Sequence, residues 1–184
     1  MFGLTSQDVR ELAPFATAFA AVLVWALTRV AGYVAQLTRR RAMQRAMIRA
    51  LFAEIDMNAA DLAEFVNGSP PIEAFRQAFR ENESFVPYIA DAGPSRDFYE
   101  AHLREIAELT PSFLPDVVRF YDGLAKISAQ IEAVQSPAFQ TISVEGKTTV
   151  IQRMLETAGS SAERGASILE EMRSVYRKLD LRSD

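Results

Sequence analysis

There is no cysteine in this chain, so disulfide staples and thiolate chemistry are excluded. Histidine occurs once, as His102, which removes most metal sets and imidazole-based catalytic groups with it. Charge is missing from Leu12 to Thr38 apart from Arg29, and neither glycine nor proline interrupts the residues between Tyr33 and Val66. The first gap in the pattern points to a hydrocarbon environment, because about 20 apolar residues are enough to span it. The second points to one long helix, since the two residues that most weaken a helix are absent.

What surrounds the apolar run sets its expected orientation. Asp8, Arg10 and Glu11 precede it, whereas Arg39, Arg40, Arg41, Arg45 and Arg49 follow it. A signal peptide has its positive charge in front, so this is a stop-transfer pattern. Positive charge stays on the cytoplasmic side, which places residues 1–11 outside as a short N-terminus, residues 12–38 in the bilayer and residues 39–184 in the cytosol. Residues 42–184 hold fifteen basic and twenty-two acidic side chains. A non-specific nucleic-acid binder is normally basic overall, so an anionic ligand would need a local basic pocket.

Helical periodicity governs the remainder. Ile48, Leu51, Ile55, Asn58, Leu62 and Phe65 step by three and four along one seam, widened by Phe52, Ala59 and Val66. Asn67-Gly68-Ser69-Pro70-Pro71 ends this helix, because proline cannot continue the ladder. Ile72 to Arg80 reads as a short helix with Phe75 and Phe79 on one face. Ser95 is a candidate cap for a helix running to about Leu109 that buries Phe98, Tyr99, His102, Leu103 and Ile106. Thr110-Pro111 is a start signal for a helix carrying Val117, Tyr121, Leu124, Ser128, Ile131 and Val134. After Ser136-Pro137 comes another long helix, whose seam runs Ile151, Met154, Ala158, Ser161, Gly165, Ile168, Met172, Val175, Leu179. The small middle of that seam marks either a close helix crossing or a fray at Gly159-Ser160-Ser161. The expected fold is all-α: one N-terminal transmembrane helix continuing into a cytosolic antiparallel helical bundle.

No catalytic set emerges, and the chain reads as a non-enzyme. Gly146-Lys147-Thr148 resembles the end of a phosphate-binding loop, but the glycine such a loop needs five positions earlier is Thr141. The alternative is a plain helix start. His102 lacks the glutamate three residues before it that a bundle metal site requires, since Tyr99 stands there. No metal or cofactor is expected. Carboxylate pairs such as Asp61 with Glu64 read as solvated helix faces. Arg76 with Arg80, and Arg173 with Arg177, stand at one-turn spacing and could each clamp a phosphate, or could serve as surface partners of nearby carboxylates. Phe75, Phe79, Phe85 and Tyr88 could stack on bases or fill a core.

Within the apolar run, Ala18, Ala21, Trp25, Thr28, Gly32 and Ala35 form a mostly small face. Small faces let helices approach closely in lipid, so the span is expected to oligomerise. Arg29 lies beside that face with Trp25, Thr28, Gly32, Tyr33 and Gln36 around it. It either lines a polar path between copies or reaches for the headgroups. A charge at the bilayer centre costs about 3 kcal/mol on insertion scales, and less near the interface.

Two stretches carry a resemblance. Arg49-Ala-Leu-Phe-Ala-Glu54-Ile-Asp-Met-Asn58, directly after a membrane helix, and Leu114 to Ile131, with Val117-Val-Arg-Phe-Tyr121 at its centre, resemble small bacterial membrane proteins with one N-terminal span and a cytosolic helical bundle. Several of these are effectors of two-gene anti-phage systems, the Hailong membrane effectors among them. The resemblance implies a homotetrameric ion channel in the bacterial inner membrane, held shut by DNA oligomers that a partner nucleotidyltransferase makes. On the residues alone, a homo-oligomeric ligand-gated pore stands beside a second reading, a membrane-tethered adaptor whose bundle binds a partner protein.

Overall fold

The computed structural model describes residues 6–89, 94–109 and 112–181, with side chains from Val22 onward. Among these residues the protein is all-α, without a strand. The helices are α1 (Ser6–Gly68), α2 (Ile72–Glu81), α3 (Asp97–Ala101), α4 (Leu103–Leu109), α5 (Leu114–Gln135), α6 (Pro137–Thr141) and α7 (Val144–Val175), followed by a 3-10 turn at Arg177–Leu179. The chain divides into two units, Met1–Arg45 and Ala46–Asp184.

The glycine- and proline-free stretch is indeed one helix, and α1 ends at Gly68, just before Ser69-Pro70-Pro71. Among the described residues no helix is long and apolar enough to cross a membrane. More than a third of the expected span lies outside that description, because the side chains of residues 12–21 are not part of it. In the first unit Val22, Val24, Trp25, Leu27, Val30 and Tyr33 are all exposed in the single chain. Thr28 returns its hydroxyl to the Val24 carbonyl at 2.7 Å, which satisfies the group without a partner outside the helix.

The second unit has its core on the expected seams. Ile48, Leu51, Phe52, Ile55 and Leu62 of α1 pack with Val117, Phe120, Tyr121 and Leu124 of α5, and with Ile168, Leu169 and Met172 of α7. A second cluster gathers Phe79, Ile89, Val134, Phe139, Ile151 and Met154. Burial of a side chain of this size contributes roughly 1.5–3 kcal/mol, so the two clusters dominate the stability of the unit.

The small middle of the α7 seam is a helix crossing, and α7 is unbroken through Gly159-Ser160-Ser161. A Cβ added at Gly165 would lie 2.7 Å from the Ala59 Cβ and 2.9 Å from the Phe120 ring. One added at Gly123 would collide with the Ser161 hydroxyl. Two helices, α1 and α5, therefore approach α7 where it has least side chain.

Several boundaries differ from expectation. The helix expected from Ser95 starts at Asp97 and is interrupted at His102, which separates α3 from α4. Leu103 turns outward, and Ile106 is the buried residue of α4. The start signal Thr110-Pro111 lies outside the described residues, and α5 begins at Leu114 with Pro115 in its first turn. Past Ser136, a one-turn α6 intervenes before α7, whose cap is Ser143, accepting from the Gly146 amide at 3.1 Å. Gly146-Lys147-Thr148 is thus a helix start. At the other end α7 stops at Val175, and Val175 is exposed rather than part of the seam.

Candidate functional site

Two buried polar centres and one cavity stand out in the second unit. The first centre is Glu54, on the core side of α1. Its carboxylate accepts from the amides of Phe98 at 2.9 Å and Tyr99 at 3.1 Å, and from the Tyr121 hydroxyl at 2.5 Å. Ser95 adds a long 3.5 Å contact through its hydroxyl. Ser95 is thus not the helix cap. The first-turn amides of α3 are capped by a carboxylate from another helix, which satisfies donors that the helix itself cannot. Tyr99 and Tyr121 stack face to face at 3.7 Å between centroids. Burial, the hydrogen bond to Glu54 and the nearby negative charge push the Tyr121 hydroxyl well above its ordinary value. All of these groups face one another rather than open space, so the arrangement holds helices together and offers no substrate a place.

The second centre is Lys147, which is 2% exposed. Its ammonium donates to the Glu83 carbonyl at 2.5 Å and lies 6.0 Å and 5.9 Å from the centroids of Phe79 and Phe139. Two ring faces and one carbonyl replace water around a buried cation. This is a core-anchoring lysine, not a phosphate-loop lysine.

The cavity has a volume of about 670 Å³. That is within the range of roughly 300–1,000 Å³ typical of small-molecule sites. The wall formed by α5 and α7 is purely apolar, with Ile127, Ile131, Ile151, Met154 and Leu155. Facing these, α1 contributes Leu62 and Phe65 together with three polar residues, Asn58, Asp61 and Glu64. Phe75 of α2 and the irregular segment carrying Phe85, Pro87, Tyr88 and Ile89 complete the enclosure. Among the described residues, neither lysine nor arginine is present in this lining.

Asn58 is the deepest polar group. The residue is 1% exposed, and its amide nitrogen donates to the carbonyls of Glu54 and Ser95, each at 2.8 Å. Two carbonyls on one side fix which end of the amide is nitrogen. The other end, Oδ1, is buried with no hydrogen-bond partner. Asp61 and Glu64, one and two turns further along the same side of α1, are exposed and belong to no ion pair among the described residues.

The two arginine pairs, open between a phosphate clamp and surface partners of carboxylates, sit in different surroundings. Arg76 is taken by Glu73 at 2.6 Å, and Arg80, one turn on, is exposed. The Arg173 guanidinium lies 5.0 Å from the Phe52 ring centroid, and Arg177 stands beyond the end of α7. Tyr176, between the two in the chain, donates its hydroxyl to the Leu109 carbonyl at 2.6 Å. Among the aromatic residues, Phe79 packs against Phe85 and Phe139, so it fills a core, while Phe75, Phe85 and Tyr88 line the cavity. His102 stacks on Phe98 and contacts the Phe98 carbonyl at 3.1 Å through Nδ1. In the first unit the Arg29 guanidinium lies 5.7 Å from the Trp25 ring, Gly32 has open space beside it, and Tyr33 and Gln36 are exposed.

Sequence reasoning missed the cavity. The available signal was Asn58, an amide in the middle of an otherwise apolar seam. No family model matches the chain, and no curated protein or solved structure matches it either.

Proposed function

We propose that the chain is a homo-oligomeric membrane pore in which α1 crosses the bilayer over residues 12–38 and the helical bundle of residues 39–184 acts as the regulator. The observation that supports this reading is the surface of α1 after Ala21. Val22, Val24, Trp25, Leu27, Val30 and Tyr33 point around the helix in several directions, each between 61% and 64% exposed in the single chain. A helix that is apolar on all sides needs hydrocarbon or other helices around it. A bilayer supplies the first, and the apolar residues from Leu12 onward extend the run to spanning length.

Other copies of the chain supply the second. Gly32 has nothing within 4 Å of where a Cβ would stand, leaving room for a neighbouring helix. Arg29 is stabilised within its own helix by the Trp25 ring, and in an oligomer it would carry its charge close to the shared axis. Regulation is a population shift: a ligand that closes the pore binds the closed bundle more tightly than the open one. The resemblance supports a tetramer in a bacterial inner membrane with a nucleotide or DNA-oligomer ligand. For that ligand class Arg76 with Arg80 and Arg173 with Arg177 are the candidate cations, and each pair would have to rearrange to grip a phosphate.

Crosslinking in native membranes, followed by single-channel recording in planar bilayers, tests the proposal. An oligomer with discrete conductance steps is expected, and Arg29→Leu is expected to change unit conductance or ion selectivity while the crosslinked species persists. A strictly monomeric protein would eliminate the pore and leave the tethered adaptor as the function.

A further inference from the structure

We infer that the cavity in the second unit binds an amphipathic organic cation: an apolar body of roughly drug size bearing a primary or secondary ammonium. This goes beyond the pore reading and holds whether or not residues 12–38 cross a membrane.

The shape and chemistry of the walls select the class. Ile127, Ile131, Ile151, Met154 and Leu155 offer a purely apolar side on α5 and α7. Enclosures of about 670 Å³ lined in this way take small organic molecules. Polar groups are confined mainly to α1, where Asn58, Asp61 and Glu64 follow one another at single-turn spacing from the interior to the surface. All three present acceptor oxygens. Asn58 has both amide hydrogens committed to carbonyls, and its buried, unpartnered Oδ1 is an acceptor only, so nothing on this side of the cavity donates.

Charge then decides between neutral and cationic donors. Asp61 and Glu64 have no basic partner in the cavity lining or in any ion pair among the described residues. An ammonium supplies the positive charge that the two carboxylates lack, and its N–H groups suit a wall whose exposed polar atoms are carboxylate oxygens. Tyr88, 83% exposed beside them, adds a ring face of the kind that favours cations. The same features exclude nucleotides and oligonucleotides from this cavity, because their phosphates would meet carboxylates and no counter-charge.

Calorimetric titration of the full chain in a nonionic detergent tests the inference with a matched pair of probes. These are 3,3-diphenylpropylamine and 4,4-diphenylbutanoate, equal in apolar body and opposite in charge at pH 7.5. The amine is expected to bind saturably, one per chain, and at least about tenfold more tightly than the carboxylate, a gap of about 1.4 kcal/mol. Partition into micelles is common to all variants, so differences between variants report the cavity. Combined Asp61→Asn and Glu64→Gln is expected to shrink the gap to about threefold or less. Leu155→Trp, which fills the cavity from α7, is expected to abolish binding of the amine. Gly68→Lys covers the case in which the filled variant fails to fold. Gly68 lines the cavity and has open space for a side chain, so the new cation is expected to weaken the amine and strengthen the carboxylate. Equal affinity for the two probes overturns the inference. So does an amine affinity that neither Gly68→Lys nor the double substitution changes.

Discussion

The Glu54 carboxylate and the Tyr121 hydroxyl stand 2.5 Å apart inside the bundle, joining α1 to α5 across sixty-seven residues of chain. The same carboxylate holds the first turn of α3, so one side chain connects three helices. Tyr121→Phe removes one of its bonds and is expected to cost about 1–2 kcal/mol. Glu54→Leu leaves two amides and a hydroxyl without their acceptor, and about 3 kcal/mol or more is expected. Urea denaturation midpoints of the two variants check the order, which would be reversed if α3 were held by its own residues.

Alkaline pH should weaken the same contact. Burial raises the hydroxyls of Tyr99, Tyr121 and Tyr176, with Glu54 adding to the effect at Tyr121. A folded-state value above the unfolded one gives stability that is complete below the unfolded value of about 10 and declines as pH rises beyond it. Denaturation midpoints recorded from pH 8 to pH 11.5 are expected to be flat and then fall. In Tyr121→Phe the fall should be shallower, with lysine titration common to both proteins.

The crossing of α7 with its neighbours gives a prediction of opposite signs on one helix. Gly165→Ala places a methyl 2.7 Å from the Ala59 Cβ, and about 1–3 kcal/mol of destabilisation is expected from overpacking. Gly159→Ala meets nothing within 4 Å, so the gain in helix propensity, about 0.5–1 kcal/mol, should appear as added stability. Thermal melts of both variants beside the parent protein decide it.

Lys147 offers a test of what a buried cation contributes. Lys147→Met keeps the length of the side chain and gives up one hydrogen bond to the carbonyl of an exposed residue, so a change under about 1 kcal/mol is expected. Lys147→Ala empties the space between Phe79 and Phe139, and about 2 kcal/mol or more should be lost. Equal effects from the two substitutions would mean that the charge, rather than the packing of the stem, is what matters.

In the first unit, Gly32→Leu fills the open side of the small face, where a Cβ meets nothing within 4 Å. The crosslinked fraction in membranes is therefore expected to fall severalfold, while the denaturation midpoint of the bundle stays within about 0.5 kcal/mol of the parent.

Periodicity made the helices and the core legible before any coordinates. Ile48, Leu51, Ile55 and Leu62 repeat at helical spacing because they pack on one side, and that requirement writes itself directly into the sequence. Ala158, Ser161 and Gly165 narrowed the middle of α7 to a close crossing or a fray, and the structure has the crossing. The cap of α3 could not, because the acceptor is Glu54, more than forty residues away, and sequence signals for caps are local. Nor could the cavity, which depends on how four helices and an irregular segment enclose volume. Asp61 and Glu64 are solvated, as their spacing suggests, and their place in the cavity lining appears only when Asn58 and the aliphatic wall are placed beside them.

The Gly165 crossing also limits how the bundle can move. Displacing α7 by one turn in one direction would bring Ile168 opposite Ala59, and in the other would bring Ser161 there, where a methyl group already has no room. Sliding is therefore blocked at a single notch, and any rearrangement of these helices must proceed by pivoting about it.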